Sequence, residues 1–255
     1  MRGKKVGMWM LLAGGIIIAI LISCPLYKAW CEQGDRVEAA RTKKQEAVEK
    51  MFKEAGVQYP PDRVLIRNFK LEKELELWAA EDGGKYEKIK TYDVRTLSGS
   101  IGPKRKEGDR QVPEGVYKVE RFNPQSRFHL SLGMDYPNRS DRILGDKRSP
   151  GGDIFIHGGW QTIGCVPVGD SSIREIYLIA LDSKTKSGRQ ADVHMFPCRF
   201  DEEDCAFELE ALKKEIPGYC SLIDSLSRVY SYFNNENKLP GVSIDENGTY
   251  LIDKE

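Results

Sequence analysis

The feature that most constrains this chain is a train of short segments in which apolar and polar residues alternate, at 64–69, 75–79, 89–94, 116–122, 128–132 and 153–156. Segments this short do not sustain a helix in water, whereas they are ordinary strand lengths, and a period of two sends successive side chains to opposite faces of a sheet. Turn-formers such as Asp82-Gly83-Gly84 and Ser98-Gly99-Ser100 punctuate them. The middle of the chain is therefore expected to be a β-rich α+β domain with few helices.

Helical patterning lies around that region. Residues 35–54 are mostly Ala, Glu, Lys, Arg and Gln, with Val37, Ala40, Ala47, Val48, Met51 and Phe52 at roughly helical spacing, and Gly56 and Pro60-Pro61 follow. This reads as a charged helical spacer. A second helix is expected after Asp170-Ser171-Ser172, with Ser172 and Glu175 spaced as a capping box and Ile173, Ile176, Tyr177 and Ala180 on one face. Residues 192–196 read as a further strand and 204–232 as helix interrupted near Pro217-Gly218. The chain ends in a hairpin about Asn247-Gly248. The expected division is an N-terminal segment over 1–30, the spacer over 31–61, a main domain over 62–197 and an extension over 198–255.

Arg2, Lys4 and Lys5 precede an uncharged, largely apolar run over 6–27. That is long enough to cross a bilayer, and the basic flank predicts an exported remainder. Leu21-Ile22-Ser23-Cys24 also has the form of a lipoprotein cleavage site, so an uncleaved anchor helix, a lipid on Cys24 and a cleaved leader are all open, and each puts the domain on the extracytoplasmic, periplasmic face. The 39 basic and 39 acidic residues cancel, which argues against nucleic acid as a partner. Six cysteines form no C-x-x-C pair, so neither a zinc site nor a redox motif is indicated. Cys198, Cys205 and Cys220 lie close enough in sequence for one disulfide in an oxidising compartment, with the pairing open.

The stretch from Asp153 to Pro167 carries the chemistry. An apolar strand delivers His157 into Gly158-Gly159, and Gly164-Cys165 follows shortly before the capped helix. A free thiol is mostly protonated at neutral pH, so a cysteine nucleophile needs a neighbouring base, and His157 is placed to serve. Glycine at 164 permits close approach of a substrate carbonyl, and backbone N–H groups there have the chemistry to hold an oxyanion. His129 and His194 fall in predicted strands and read as structural, no spacing supports a metal site, and no cofactor is implied. Lys104-Arg105-Lys106 reads as a solvated turn.

Ile156-His157-Gly158 followed by Thr162-Ile163-Gly164-Cys165 resembles the signature of the L,D-transpeptidase (YkuD-type) catalytic domain. Upstream, Ser98-Gly99, Gly102-Pro103-Lys104, Gly108-Asp109, Pro113-Glu114-Gly115, Phe128 to Leu132 and Tyr136-Pro137-Asn138 are similar to its YafK-like branch. The resemblance implies a mixed β-sandwich with flanking helices and peptidoglycan stem peptides as substrate. It makes Cys165 the acylated nucleophile, His157 the base, and Gly158, Gly164 and Thr162 the orienting or oxyanion positions. Tyr136, Asn138 and Arg139 become candidates for substrate contact. An amine acceptor gives L,D-transpeptidation, water gives a thiol hydrolase, and a non-catalytic wall-binding domain is the third reading. Ile163 and Val166-Pro167 depart from the histidine and the polar residues many members carry there.

Overall fold

A computed structural model describes residues 25–216 and 218–253. The run up to residue 24, with the expected tether and Cys24, lies outside the described residues. No helix among the described residues is long and apolar enough to cross a membrane.

Among the described residues, ten strands and five helices follow in the order α1 (Pro25–Glu54), β1 (Arg63–Phe69), β2 (Glu74–Ala80), β3 (Glu87–Asp93), β4 (Gly115–Asn123), β5 (Ser131–Met134), α2 (Arg139–Leu144), β6 (Phe155–His157), β7 (Val166–Pro167), α3 (Asp170–Ser187), β8 (Asp192–Phe196), α4 (Glu203–Glu215), α5 (Tyr219–Glu236), β9 (Gly241–Ile244) and β10 (Tyr250–Asp253). The first eight strands make one sheet in the order β3-β2-β1-β8-β4-β5-β6-β7, and β9 and β10 pair separately. The α+β class is as expected. In place of two stacked sheets, the structure has a single curled one. Gly115 to Lys118 of β4 pair with β8, Val119 to Asn123 pair with β5, and a register shift between Val119 and Arg121 bends the strand where it passes from one half to the other.

Both faces of the sheet centre are covered. Along β1, Val64 and Ile66 join the main core with α3 residues Ile173, Ile176 and Ile179. Phe69 points to the opposite cluster, where Tyr219, Leu222, Leu226 and Tyr230 of α5 meet it, and Leu65 packs with Phe233. Alternation in β1 therefore sorts two apolar sets between two helical layers rather than apolar from polar.

The helix read as a spacer is packed on the domain. Ala40, Val48 and Phe52 are fully buried in the main core, Arg41 pairs with Asp182 at 2.7 Å, and Lys44 pairs with Glu175 at 2.7 Å. Its apolar residues at helical spacing mark the face that α3 covers. Helix α3 starts differently from the capping-box expectation: its N-cap is Gly169 at φ +80°, with no side-chain cap bond. Glu175, the residue a capping box would use, instead receives Lys44 and Lys90, each at 2.7 Å.

The C-terminal extension forms a second core. Cys198 and Cys205 are disulfide-bonded and buried, fastening the start of α4 to the end of β8, while Cys220 is free and exposed. The final hairpin closes over a longer turn than Asn247-Gly248 alone, because Asp245 Oδ1 accepts from the N–H groups of Asn247 and Thr249 at 2.9 and 2.8 Å.

Candidate active site

His157 ends β6, and Cys165 immediately precedes β7. The parallel pairing of Ile156 with Val166 brings Cys165 alongside Phe155. His157 and Cys165 thus lie at adjacent strand ends because a glycine-rich loop brings the chain back beside β6.

His157 is 1% exposed. Its Nδ1 lies 2.5 Å from the Gly158 carbonyl oxygen, which can only accept, so Nδ1 carries the proton and Nε2 is left with its lone pair. Phe128 stacks on the imidazole with ring centroids 4.7 Å apart. Burial pushes the His157 pKa down, against the opposing pull of the Gly158 carbonyl, so the imidazole is neutral at neutral pH. Gly158 has no room for a side chain: a Cβ there would lie 2.6 Å from Asp170 Oδ1 and 2.6 Å from the Phe128 carbonyl. Asp170, at the first position of α3, accepts from Gly159 N–H at 2.8 Å and ties this loop to the helix.

Cys165 is a free, partly buried thiol. Its Sγ accepts from Phe155 N–H at 3.4 Å and donates to the Asp153 carbonyl at 3.6 Å. Among the described residues no hydrogen bond joins it to His157. Burial pushes the thiol pKa up; Phe155 N–H and Lys104 oppose this, and Asp153 reinforces it. The resting pair is therefore neutral thiol and neutral imidazole rather than a preformed ion pair.

Thr162 shapes the turn between them. Its Oγ1 accepts from Cys165 N–H at 2.8 Å and Gly164 N–H at 3.2 Å, and donates to the Cys165 carbonyl at 2.7 Å. Gly164 sits at φ +136°, and a Cβ there would lie 3.2 Å from the Gln111 carbonyl. Both the backbone angle and the neighbouring loop thus require glycine.

The thiol opens into a groove of about 700 Å³ lined by residues of the 104–110 and 148–154 loops together with Ile163 and Cys165. The loops are stitched together: Glu107 N–H donates to the Ser149 carbonyl at 2.8 Å, and Asp146 N–H to the Arg105 carbonyl at 2.7 Å. Lys104, read from sequence as part of a solvated turn, is 4% exposed and pairs with Asp109 at 2.6 Å. Asp109 draws it inward by also accepting from the N–H groups of Arg105, Lys106 and Gln111. Nothing in the sequence pattern separated this lysine from its exposed neighbours.

The remaining candidates lie elsewhere. Tyr136 is buried behind the groove, its hydroxyl donating to the Pro150 carbonyl at 2.9 Å. Asn138 caps α2 in a reciprocal box with Asp141, and its Nδ2 donates to Tyr250 Oη at 2.7 Å. Arg139 is exposed, and none of these three lines the groove. His129 sits in a turn at φ +75° rather than in a strand, and His194, in β8, is buried, its pKa pushed down to about 3 by burial and by Arg67. Among the described residues no cluster of potential metal ligands is present.

A strand-end histidine with a carbonyl-fixed tautomer, a cysteine just before the neighbouring short strand and a glycine-threonine turn between them make up the candidate site. Residues 72–187 match the model of the YkuD L,D-transpeptidase catalytic domain. The chain is 29% identical over 193 residues to the Escherichia coli K12 protein named "Putative L,D-transpeptidase YafK", covering 75% of this chain and 74% of that protein. The corresponding protein of Escherichia coli O157:H7 gives the same values of 29%, 75% and 74%. Among solved structures, the helical cell shape determining protein Pgp2 from Campylobacter jejuni is 19% identical with a TM-score of 0.45, covering 72% of this chain and 73% of that one. Bd1075 of Bdellovibrio bacteriovorus is 18% identical with a TM-score of 0.38, covering 60% and 56%.

Proposed function

We propose that this protein is an extracytoplasmic cysteine acyltransferase acting on peptidoglycan stem peptides, with Cys165 as nucleophile and His157 as general base. The observation that carries the reading is the pairing of a groove-facing thiol with an imidazole whose Nδ1–H is held by the Gly158 carbonyl, leaving Nε2 free to take a proton. The match of residues 72–187 to the L,D-transpeptidase catalytic-domain model supports the substrate class.

In this reading the thiol leaves the Asp153 carbonyl as substrate enters the groove and passes its proton to His157 Nε2. The thiolate attacks the carbonyl of an L-centre that precedes a D-residue. Collapse of the tetrahedral adduct breaks the C–N bond, His157 returns its proton to the departing amine, and a thioester remains on Cys165. An acceptor amine then loses its proton to His157 and attacks the thioester, restoring the thiol and forming the L,D cross-link. Water in the same place gives a hydrolase. Thr162 is an orienting residue, because its one O–H already serves the Cys165 carbonyl and it has no proton left for an oxyanion. The Gly164 and Cys165 amides are the donors for that oxyanion, released as the substrate oxygen displaces the Thr162 hydroxyl oxygen. The buried Cys198–Cys205 disulfide fits an oxidising compartment beyond the cytoplasm.

The test is mass spectrometry of purified muropeptides incubated with the protein and, in parallel, with Cys165→Ala. Cross-linked or exchanged products absent from the variant establish the transferase. Shortened or separated peptides in their place establish the hydrolase, and identical spectra from both samples overturn the catalytic reading in favour of wall binding.

A further inference from the structure

The loop that covers the imidazole of His157 is gripped by a cation from α1, ahead of the 72–187 segment. Arg36 makes no ion pair among the described residues. Its Nη1 donates instead to three backbone carbonyls, those of Pro124 at 3.3 Å, Ser126 at 2.9 Å and His129 at 3.1 Å. These residues belong to the connection from β4 to β5, and Phe128, whose ring stacks on His157 with centroids 4.7 Å apart, lies between the second and third of them. A guanidinium is a planar cation with several donors, so one side chain can gather the carbonyls of a turn around itself. The grip has a fixed base: one turn further along α1, Ala40 is fully buried and Arg41 pairs with Asp182 at 2.7 Å.

On its other side the same connection meets the base. The Leu130 carbonyl accepts from Gly158 N–H at 3.2 Å, and the Phe128 carbonyl would stand 2.6 Å from a Cβ at Gly158. Residues 128–130 therefore touch both the imidazole and the backbone whose carbonyl sets its tautomer. The Phe128 residue is itself 39% exposed, so its own burial is a weak anchor and the stack depends on the backbone to either side. Ser126 Oγ accepts from Phe128 N–H at 3.1 Å, and His129 holds φ +75°, a left-handed angle that persists where neighbouring contacts fix it. The charged groups around the loop, Arg36 and Lys43 of α1 and Asp170 and Arg174 of α3, act on His129. The His157 pKa is instead lowered by burial, against the Gly158 carbonyl, so water admitted to the ring would let it rise.

Resting on the acyl-transfer reading above, we propose that Arg36 is a positioning residue, which clamps the 124–130 connection so that Phe128 stays over His157 and keeps water from that face of the base. Helix α1 then serves the chemistry as well as the core. The clamp acts on the base and not on the thiol or the groove, so its loss falls on proton transfer rather than on the binding of an acyl donor.

The test compares the full chain with Arg36→Met, which keeps the stem and removes the donors, and with Arg36→Lys, which keeps a donating cation. Arg36 is exposed, so neither change disturbs the core. Imidazole NMR follows the titration of His157, assigned among the three histidines with His157→Gln, and stopped-flow acylation by a chromogenic carbapenem is recorded against pH. Arg36→Met should slow saturated acylation by about 10-fold, the effect of losing a hydrogen bond to a charged group, with the concentration for half-saturation within about 2-fold of wild type. Both the His157 titration and the acid limb of the rate should move to higher pH, and Arg36→Lys should recover most of each change. In a Phe128→Ala background, adding Arg36→Met should alter the rate by less than about 2-fold, because the ring through which it acts is gone. A His157 titration unmoved in Arg36→Met, or a rate loss that adds in full to that of Phe128→Ala, overturns the proposal. A titration that moves while the wild-type protein is acylated by neither carbapenem nor muropeptide keeps the clamp and sinks the acyl-transfer reading instead.

Discussion

Replacing Lys70 by Met tests how the C-terminal extension supports the site. Lys70 and Glu114 form an ion pair at 2.9 Å with both side chains 0% exposed. The ammonium also donates to the carbonyls of Gly102 at 2.7 Å and Val112 at 2.9 Å, while Glu114 accepts from Gly102 N–H at 2.7 Å and from the Tyr219 hydroxyl of α5 at 2.8 Å. Methionine matches the stem of lysine but supplies no donor, so two carbonyls lose this donor and the Glu114 carboxylate, left with only Gly102 N–H and the Tyr219 hydroxyl, loses its counter-charge. Removing one member of a buried pair costs about 3–5 kcal/mol, a large share of the roughly 5–15 kcal/mol that holds a domain of ordinary stability. Urea unfolding of Lys70→Met should show a loss of that size with an unchanged slope. Lys50→Met, which removes an exposed pair with side chains 74% and 65% accessible, should change stability by less than about 0.5 kcal/mol. A loss under about 1 kcal/mol for Lys70→Met would refute the idea that this pair secures the 95–114 loop.

The site and its surroundings offer further tests. Burial raises the pKa of Asp141 to about 7, against hydrogen bonds from Tyr117 and the Asn138 N–H. Such a carboxyl binds its proton more readily folded than unfolded, so its contribution to stability is full below about pH 4 and is lost as pH rises to about 7. Asp141→Asn should therefore be less sensitive than the wild type to a shift from pH 5 to pH 8, measured as urea midpoints; equal sensitivity refutes the assignment. Thr162→Val should slow thiol acylation by about 10–100-fold, since three bonds that set the Cys165 turn are lost together, whereas Thr162→Ser should stay within a few-fold. Stopped-flow acylation by a chromogenic carbapenem measures both, and parallel behaviour of the two variants removes the hydroxyl from the account.

Elements with a strong local pattern were legible in the sequence: β1, β2, β4, β8, the interruption between α4 and α5, and the placing of His157 at a strand end. The two-residue β7 has no pattern to read, although it is the strand that carries Cys165 into position. Burial of Lys104 and the roles of Tyr136 and Asn138 depend on which loop folds against which, and residue type alone does not encode that. The N-terminus of α3 illustrates the same limit. Ser172 and Glu175 have capping-box spacing, yet tertiary ion pairs to Lys44 and Lys90 take Glu175, because two charge-assisted bonds outweigh one local cap.

The sharing of β4 between the two halves of the sheet bears on how the molecule comes apart. One half carries β6, which ends at His157, and β7, which follows Cys165, and the other carries β1 and β8 with the C-terminal helices behind them. Because successive segments of one nine-residue strand complete the hydrogen-bond ladders of both, neither half has an edge at which it can separate while the other stays closed. Opening at β4 exposes both ladders at once, so the halves form a single cooperative unit, and the slowest amide exchange in the protein belongs to the β4 residues on either side of the bulge.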